Sequence, residues 1–315
     1  MRSQKKYIGA IAALLSILLL ASACGKNENG AEETNNAPKQ ITITDANGKV
    51  TIPSEPKRIL APYLEDSLVA LDVTPAAQWS IGTTVLEYLQ SDLQDVPKIG
   101  WDLPLEQTIK AQPDLIIFSS AGSIQNGQYE EYKKIAPTYV YKDQDSADWK
   151  KQLEIMGKIT GKEKLATEKI AQYEEKTKNA SEKIKKAIGE ETAALIWIAG
   201  DKYYLFENTR FAANVLYNDL GVSQPEMVQK LPKAEAAWQP ISLESLSGLD
   251  ADHLFLVSKP EEPGLSKLEQ SNIYKGLPSV KKGHVYKMDD PSHWTINGLI
   301  ANELSIDRIE ESLTK

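Results

Sequence analysis

Six tryptophans and thirteen tyrosines stand against only four phenylalanines in this chain. Trp and Tyr join a broad apolar face to a hydrogen-bonding tip, a combination suited to a half-open ligand cleft. Several fall in loops after apolar runs that read as strands. These are Tyr63 after Ile59-Leu60, Trp101 after Ile99, Tyr204 near a turn, Trp238 after a polar stretch, and Trp294 after Asp289-Asp290-Pro291. In α/β sheets such loops line the ligand crevice. Arginine is scarce, confined to Arg2, Arg58, Arg210 and Arg308. Arg210 opens a helical pattern next to Tyr204 and offers a forked donor to a carboxylate or to the anionic face of a metal chelate. Arg58 precedes a strand and reads as structural.

Other chemistries are excluded by what is missing. No Gly-rich phosphate loop stands where a strand meets a helix, and no Gly-x-Ser-x-Gly elbow occurs. A single cysteine, Cys24, forbids an intrachain disulfide and a thiolate-built zinc or iron–sulfur site. His253, His284 and His293 all lie in the last quarter, so two halves of the chain cannot grip a zinc ion through histidines from both. His253 and His284 read as strand-end residues, and no metal site is expected. Lys and Arg number 36 and Asp and Glu 44, giving a net charge of −8, a poor match to nucleic acid. With 315 residues, 41% hydrophobic and 25% charged, the chain is globular and long enough for two domains.

The elements that must position these residues follow from periodicity. Ile41-Thr42-Ile43-Thr44 and Val50-Thr51-Ile52 alternate about an Asn47-Gly48 turn signal. Strands at Ile59-Leu60, Leu115–Phe118 and Thr138–Tyr141 alternate with helices at Leu64–Leu71, Leu105–Ala111 and Tyr129–Ile135. That order implies βαβ units and a mostly parallel sheet. Asp148–Ile188 is Lys- and Glu-rich and reads as two helices split at Thr160-Gly161, the second long enough to cross between lobes. Strands then resume at Ala193–Ile198, Leu254–Val257 and His284–Lys287, with helices over Asn208–Leu220 and Gly298–Leu313. Both halves carry Leu-Glu at a helix start and an Asp eight places on, before a buried strand: Leu105-Glu106 with Asp114, and Leu243-Glu244 with Asp252. The expected fold is α/β, two Rossmann-like lobes with mostly parallel sheets bridged by one long α-helix. The lobes span 40–147 and 189–315, and the helical linker 148–188.

At the N-terminus, Arg2, Lys5 and Lys6 precede a 16-residue apolar run from Ile8 to Ala23, too short for a membrane span. Residues 1–23 read as a signal peptide. Their removal deletes three positive charges and no acid, moving the net charge from −8 to −11. Residues 24–39 are rich in Asn, Glu, Gly and Ala and read as a flexible tether. Leu20-Ala21-Ser22-Ala23-Cys24 resembles a bacterial lipobox, which implies a lipid on Cys24.

From Ile41 to Leu313 the chain resembles the solute-binding lipoproteins of bacterial ABC importers, in the iron-siderophore and cobalamin group with a single helical linker. The resemblance is carried by Pro56-Lys57-Arg58-Ile59, Leu68–Val73, Gln112–Ile117, Lys134–Thr138 and Val280–Tyr286. Asp201–Phe206, Asn214–Tyr217 and Ala237-Trp238 are similar to the ferric-hydroxamate binders. Their frequent Trp-Gly-Arg is replaced by Arg210-Phe211 in a shorter loop, so hydroxamate and citrate-hydroxamate cargoes both stay open. The resemblance implies a monomeric, non-enzymatic protein without a cofactor, lipid-anchored outside a cell membrane, of Gram-positive type. It would take a ferric siderophore against Tyr63, Trp101, Tyr204, Arg210, Trp238 and Trp294. It would deliver that cargo to a permease and its ATPase, docking through Glu106 and Glu244. The alternatives are haem, with His293 as axial ligand, or cobalamin in the same architecture, and less readily an exported hydrolase.

Overall fold

The structure, a computed structural model, describes residues 39–233 and 237–315. The expected signal peptide, Cys24 and the tether up to residue 38 lie outside the described residues. Lys39–Lys315 form one compact unit.

The hairpin is where the turn signal put it. Strand β1 (Gln40–Asp45) pairs antiparallel with β2 (Gly48–Pro53), Asp45 standing opposite Gly48. Gly48 has φ 115°, a conformation costly for any residue with a Cβ. The buried Asp45 carboxylate accepts from the N–H groups of Asn47 (2.7 Å) and Val140 (3.1 Å), closing the turn and pinning the hairpin to the first lobe. That lobe holds a parallel sheet of β3 (Ile59–Leu60), β6 (Leu115–Phe118) and β7 (Thr138–Val140), with β6 central. Beside it β4 (Gln78–Ser80) pairs in parallel with β5 (Lys98–Gly100). Every residue of β6 is buried, as its unbroken apolar run requires of a strand covered on both faces. Helices α1 (Glu65–Ala70), α2 (Leu105–Ala111) and α3 (Tyr129–Ile135) make the crossovers.

Helix α4 (Trp149–Thr160) stops at Gly161, whose φ of 70° supplies the left-handed cap. Helix α5 (Glu163–Ile188) follows, 26 residues long, or about 39 Å at ~1.5 Å per residue. It buries only Ala166, Tyr173, Ala180 and Ile184, one narrow stripe of a solvated helix. The second lobe is a four-stranded sheet in the order β11 (Val285–Met288), β10 (His253–Val257), β8 (Ala193–Ala199), β9 (Lys202–Leu205). All its pairs are parallel except β8 with β9. Helix α6 (Pro263–Gln270) packs on β8, and α7 (Leu299–Leu313) closes the chain. The mixed α/β architecture, mostly parallel and carrying a long connecting helix, agrees with the sequence.

The C-terminal segment adds a second bridge that periodicity does not foretell. Helix α7 packs on both α5 and α1. Its Ile300 and Ala301 N–H groups donate to the buried Asp66 carboxylate of α1, at 3.1 and 2.9 Å. Ile296 and Ala301 share a buried cluster with Trp79, Leu86, Leu89 and Leu93 of the first lobe.

Other departures are local. The helix expected over Asn208–Leu220 begins only at Ala212 and passes into a π-helix over Val215–Asp219. The preceding residues form a turn instead, with the Arg210 N–H bonded to the Glu207 carbonyl (3.0 Å) and Phe211 at φ 46°. Strands β4, β5 and β9 have three or four residues each, too few to show a period of two. No helix among the described residues is long and apolar enough to cross a membrane.

Candidate ligand site

Tyr204, Arg210 and Trp238 come together on the second lobe. Trp238 is the centre of the group, ringed by Trp197 (centroids 5.1 Å apart), Tyr204 (5.8 Å), Phe206 (4.9 Å) and Phe211 (6.0 Å). Tyr204 lies opposite Trp197 in the β8–β9 pair, and their rings stack at 5.1 Å. The guanidinium carbon of Arg210 sits 4.3 Å from the Trp238 ring centroid, a cation–π contact. Arg210 is only 5% exposed, and its Nε and Nη2 donate to the two carboxylate oxygens of Glu207. A bidentate pair of that kind fixes the guanidinium plane under the indole. The patch therefore offers the partly exposed aromatic faces of Trp197, Tyr204, Phe211 and Trp238, backed by the wholly buried Phe206, with a charge already matched inside it. Trp197, Phe206, Phe211 and Glu207 were missed by sequence reasoning. The one usable signal was Glu207 three residues before Arg210, the spacing of a local ion pair.

The first lobe presents Tyr63 and Trp101, 48% and 51% exposed, with Ile81 exposed between their strands. They follow β3, β5 and β4, so all stand at the carboxyl ends of parallel strands, the crevice position. The Trp101 N–H donates to the Ser80 carbonyl (2.9 Å), and Tyr63 meets the buried Trp79 edge-on at 4.5 Å. Tyr63 has φ 66°, strained for a bulky side chain; such strain persists where the surroundings impose it and often marks a functional position. Beneath it lies Glu65, buried, one oxygen accepting from the Trp79 N–H (2.8 Å) and the other without a partner. Burial pushes the Glu65 carboxyl up to about 7.

Trp294 does not join either group. It has no exposed surface and packs against Phe255 and His293. Its apolar bulk completes the core at the start of the C-terminal segment, so the expected place on the cleft wall is corrected. A cavity of about 700 Å³ opens between β11 and α7, with Trp294 in its wall beside Tyr88, Asp290, His293 and Arg308. None of the other expected cleft residues lines it. His293 is also buried, and burial brings its imidazole down to about 4; it lies in the wall of that same cavity.

Glu106 and Glu244 are both exposed at starts of helical turns. In the second lobe that turn is a five-residue 3-10 helix, Glu244–Gly248, rather than an α-helix. The exposed Glu244 carboxyl is held below its usual range by its own N–H and by the Ser242 hydroxyl. The two aspartates of the repeated signature do the same work in each lobe. Asp114 accepts from the N–H groups of Lys57 (2.7 Å) and Arg58 (3.0 Å) just before β3. Asp252 accepts from the N–H (2.8 Å) and hydroxyl (2.9 Å) of Thr192 just before β8. Each staples the entry of one strand to the start of its neighbour.

Comparison with known proteins identifies the family. The family described as periplasmic binding protein matches residues 62–291, and the chain belongs to it. This is a family of extracytoplasmic binding proteins, not of enzymes. The chain is 31% identical to the Iron(3+)-hydroxamate-binding protein FhuD of Bacillus subtilis, over 99% of this chain and 98% of that one. Among solved structures it superposes on FhuD2 of Staphylococcus aureus with bound ferrioxamine B at a TM-score of 0.69 and 27% identity, covering 82% of this chain and 98% of that one. It also superposes on the triscatecholate siderophore-binding protein FeuA of Bacillus subtilis, complexed with ferri-bacillibactin, at 0.73 and 25%, covering 87% and 98%.

Proposed function

We propose that this protein captures an uncharged or weakly charged ferric siderophore, of the hydroxamate type, between its lobes and passes it to an ABC importer. The observation that carries this reading is the Trp238 patch, in which Arg210 is stacked under the indole and ion-paired with Glu207. The iron core of a tris-hydroxamate complex has no net charge, and the pendant amine of ferrioxamine B adds only one positive charge, whereas tris-catecholate and citrate complexes are anionic. An anionic cargo calls for cations not already matched, because its desolvation must be offset by new pairs. Aromatic faces suit an uncharged chelate shell, which gains by apolar contact. The relative named for Iron(3+)-hydroxamate supports the same class. Iron is held by the chelator, and Tyr63 and Trp101 close over it from the first lobe.

Tryptophan-fluorescence titration tests this. Ferrioxamine B should quench and bind, ferric citrate and a ferric tris-catecholate should bind at least tenfold more weakly, and W238A should lose at least tenfold in affinity for ferrioxamine B. Tighter binding of an anionic chelate would overturn the charge argument.

The delivery side of the proposal rests on the family and the sequence. The lobes take residues 40–147 and 189–315, joined by 148–188. A monomer, lipid-anchored through Cys24 after removal of residues 1–23 and tethered by 24–39, stays near the permease and its ATPase on a Gram-positive cell surface. Glu106 and Glu244, one exposed acid per lobe, dock on that permease.

A further inference from the structure

Glu191, His253 and His284 converge at the far end of the second sheet from the aromatic patch. Glu191 lies two residues before β8, His253 opens β10, and His284 directly precedes β11. Trp197 is four residues into β8, roughly 13 Å away at ~3.3 Å per residue. One ligand atom from each of the three side chains lies within 4.8 Å of the others. His253 Nε2 is 2.7 Å from a Glu191 oxygen, and its Nδ1 is 3.0 Å from the Tyr286 hydroxyl. The two imidazoles stack at 4.5 Å, and Nδ1 of His284 is buried with no hydrogen-bond partner.

We propose that these three side chains form a divalent transition-metal site, of the two-histidine, one-carboxylate class that zinc favours. Two imidazoles and a carboxylate leave a fourth tetrahedral position for water. With metal–ligand bonds of about 2.0–2.2 Å the donors need to stand about 3.3 Å apart, so the Glu191–His253 contact widens slightly and the His284 ring turns inward. When the ion takes Nε2 of His253, its ring proton sits on Nδ1 and donates to the Tyr286 hydroxyl, the usual outer partner of a metal-bound histidine. The nearby Lys282 ammonium is occupied by Asp252 at 2.6 Å. Glu191, 41% exposed, leaves an entry path. This inference is independent of the cargo.

Equilibrium dialysis of the full chain against Zn²⁺ should give one tight equivalent, and Co²⁺ in its place should show the intense visible absorption of a tetrahedral centre. H284Q and E191Q, both at partly exposed positions, should each weaken zinc at least tenfold while ferrioxamine B quenching stays unchanged. H253A should abolish the tight equivalent. No tight equivalent in the parent chain, or equal affinity in H284Q and E191Q, would overturn the site and leave only scattered surface carboxylates.

Discussion

Burial acts in opposite senses on Glu65 and His293. It favours the uncharged form of each, so it raises the carboxyl to about 7 and lowers the imidazole to about 4. The folded state then holds more protons than the unfolded chain on Glu65 between about 4.5 and 7, and stability from that group falls as pH rises through this range. Asp66, also raised by burial, adds in the same direction. On His293 the unfolded chain holds more protons between about 4 and 6.5, so stability from that group is lost as pH falls. The two slopes oppose each other where the ranges overlap. Single variants should separate them. Urea unfolding across a pH series should find E65Q gaining about 3 kcal/mol relative to the parent from pH 4.5 to 7. H293N should gain about 3 kcal/mol relative to the parent from pH 6.5 down to 4. A pH-independent offset in either variant would refute the corresponding titration.

At the scale of elements, the junction of α1 and α7 decides whether the lobes stay registered. The N-terminus of α7 has no side-chain cap of its own, and Asp66 from α1 supplies one across the interface. Gly298 makes this approach possible, since a Cβ there would stand 2.4 Å from the Asp66 carboxyl carbon. Its backbone is extended, so the demand is for space and not for an unusual φ. G298A should therefore destabilise by about 2 kcal/mol through overpacking and a displaced cap. Thermal unfolding of G298A within a few tenths of a kcal/mol of the parent would show that the interface relaxes freely. The matched staples at Asp114 and Asp252 belong to the same scale. They explain why one Leu-Glu and Asp spacing recurs in both lobes: each aspartate joins neighbouring parallel strands at the edge where they begin.

For the whole molecule, the long α5 is reinforced by α7, which packs on α5 and reaches α1. A single buried cluster runs from Ile59 and Leu115 through Tyr173 and Ile184 to Leu195 and Phe255. Wide hinge opening would have to break that core, so cargo binding is expected to close the lobes only slightly. The proposed docking residues, Glu106 and Glu244, stand exposed. In a cellular uptake assay, E106K with E244K should abolish siderophore import while purified protein binds ferrioxamine B normally. In the same cells C24S should shed the protein from the membrane. Import that survives the double reversal would remove the docking role.

Local pattern was enough for most of the framework. The Asn47-Gly48 turn, the strand at Leu115–Phe118, the helix at Leu105–Ala111 and the glycine stop at Gly161 were all legible, because turn conformation, apolar run length and helical period are properties of neighbouring residues. Aromatic loop residues pointed to a cleft, and Tyr204, Arg210 and Trp238 do meet. Which aromatic faces solvent was not legible. Trp101 and Trp294 are the same residue type in similar loops, yet one is half exposed and the other wholly buried. Exposure depends on which distant segments arrive, and here Trp294 packs against Phe255 of the second sheet while Trp101 stays open. The pairing of Arg210 with Glu207 beneath Trp238, the clasp between Asp66 and α7, and the meeting of Glu191, His253 and His284 were likewise decided only in three dimensions. Each depends on the closeness and burial of side chains that no one-dimensional spacing specifies.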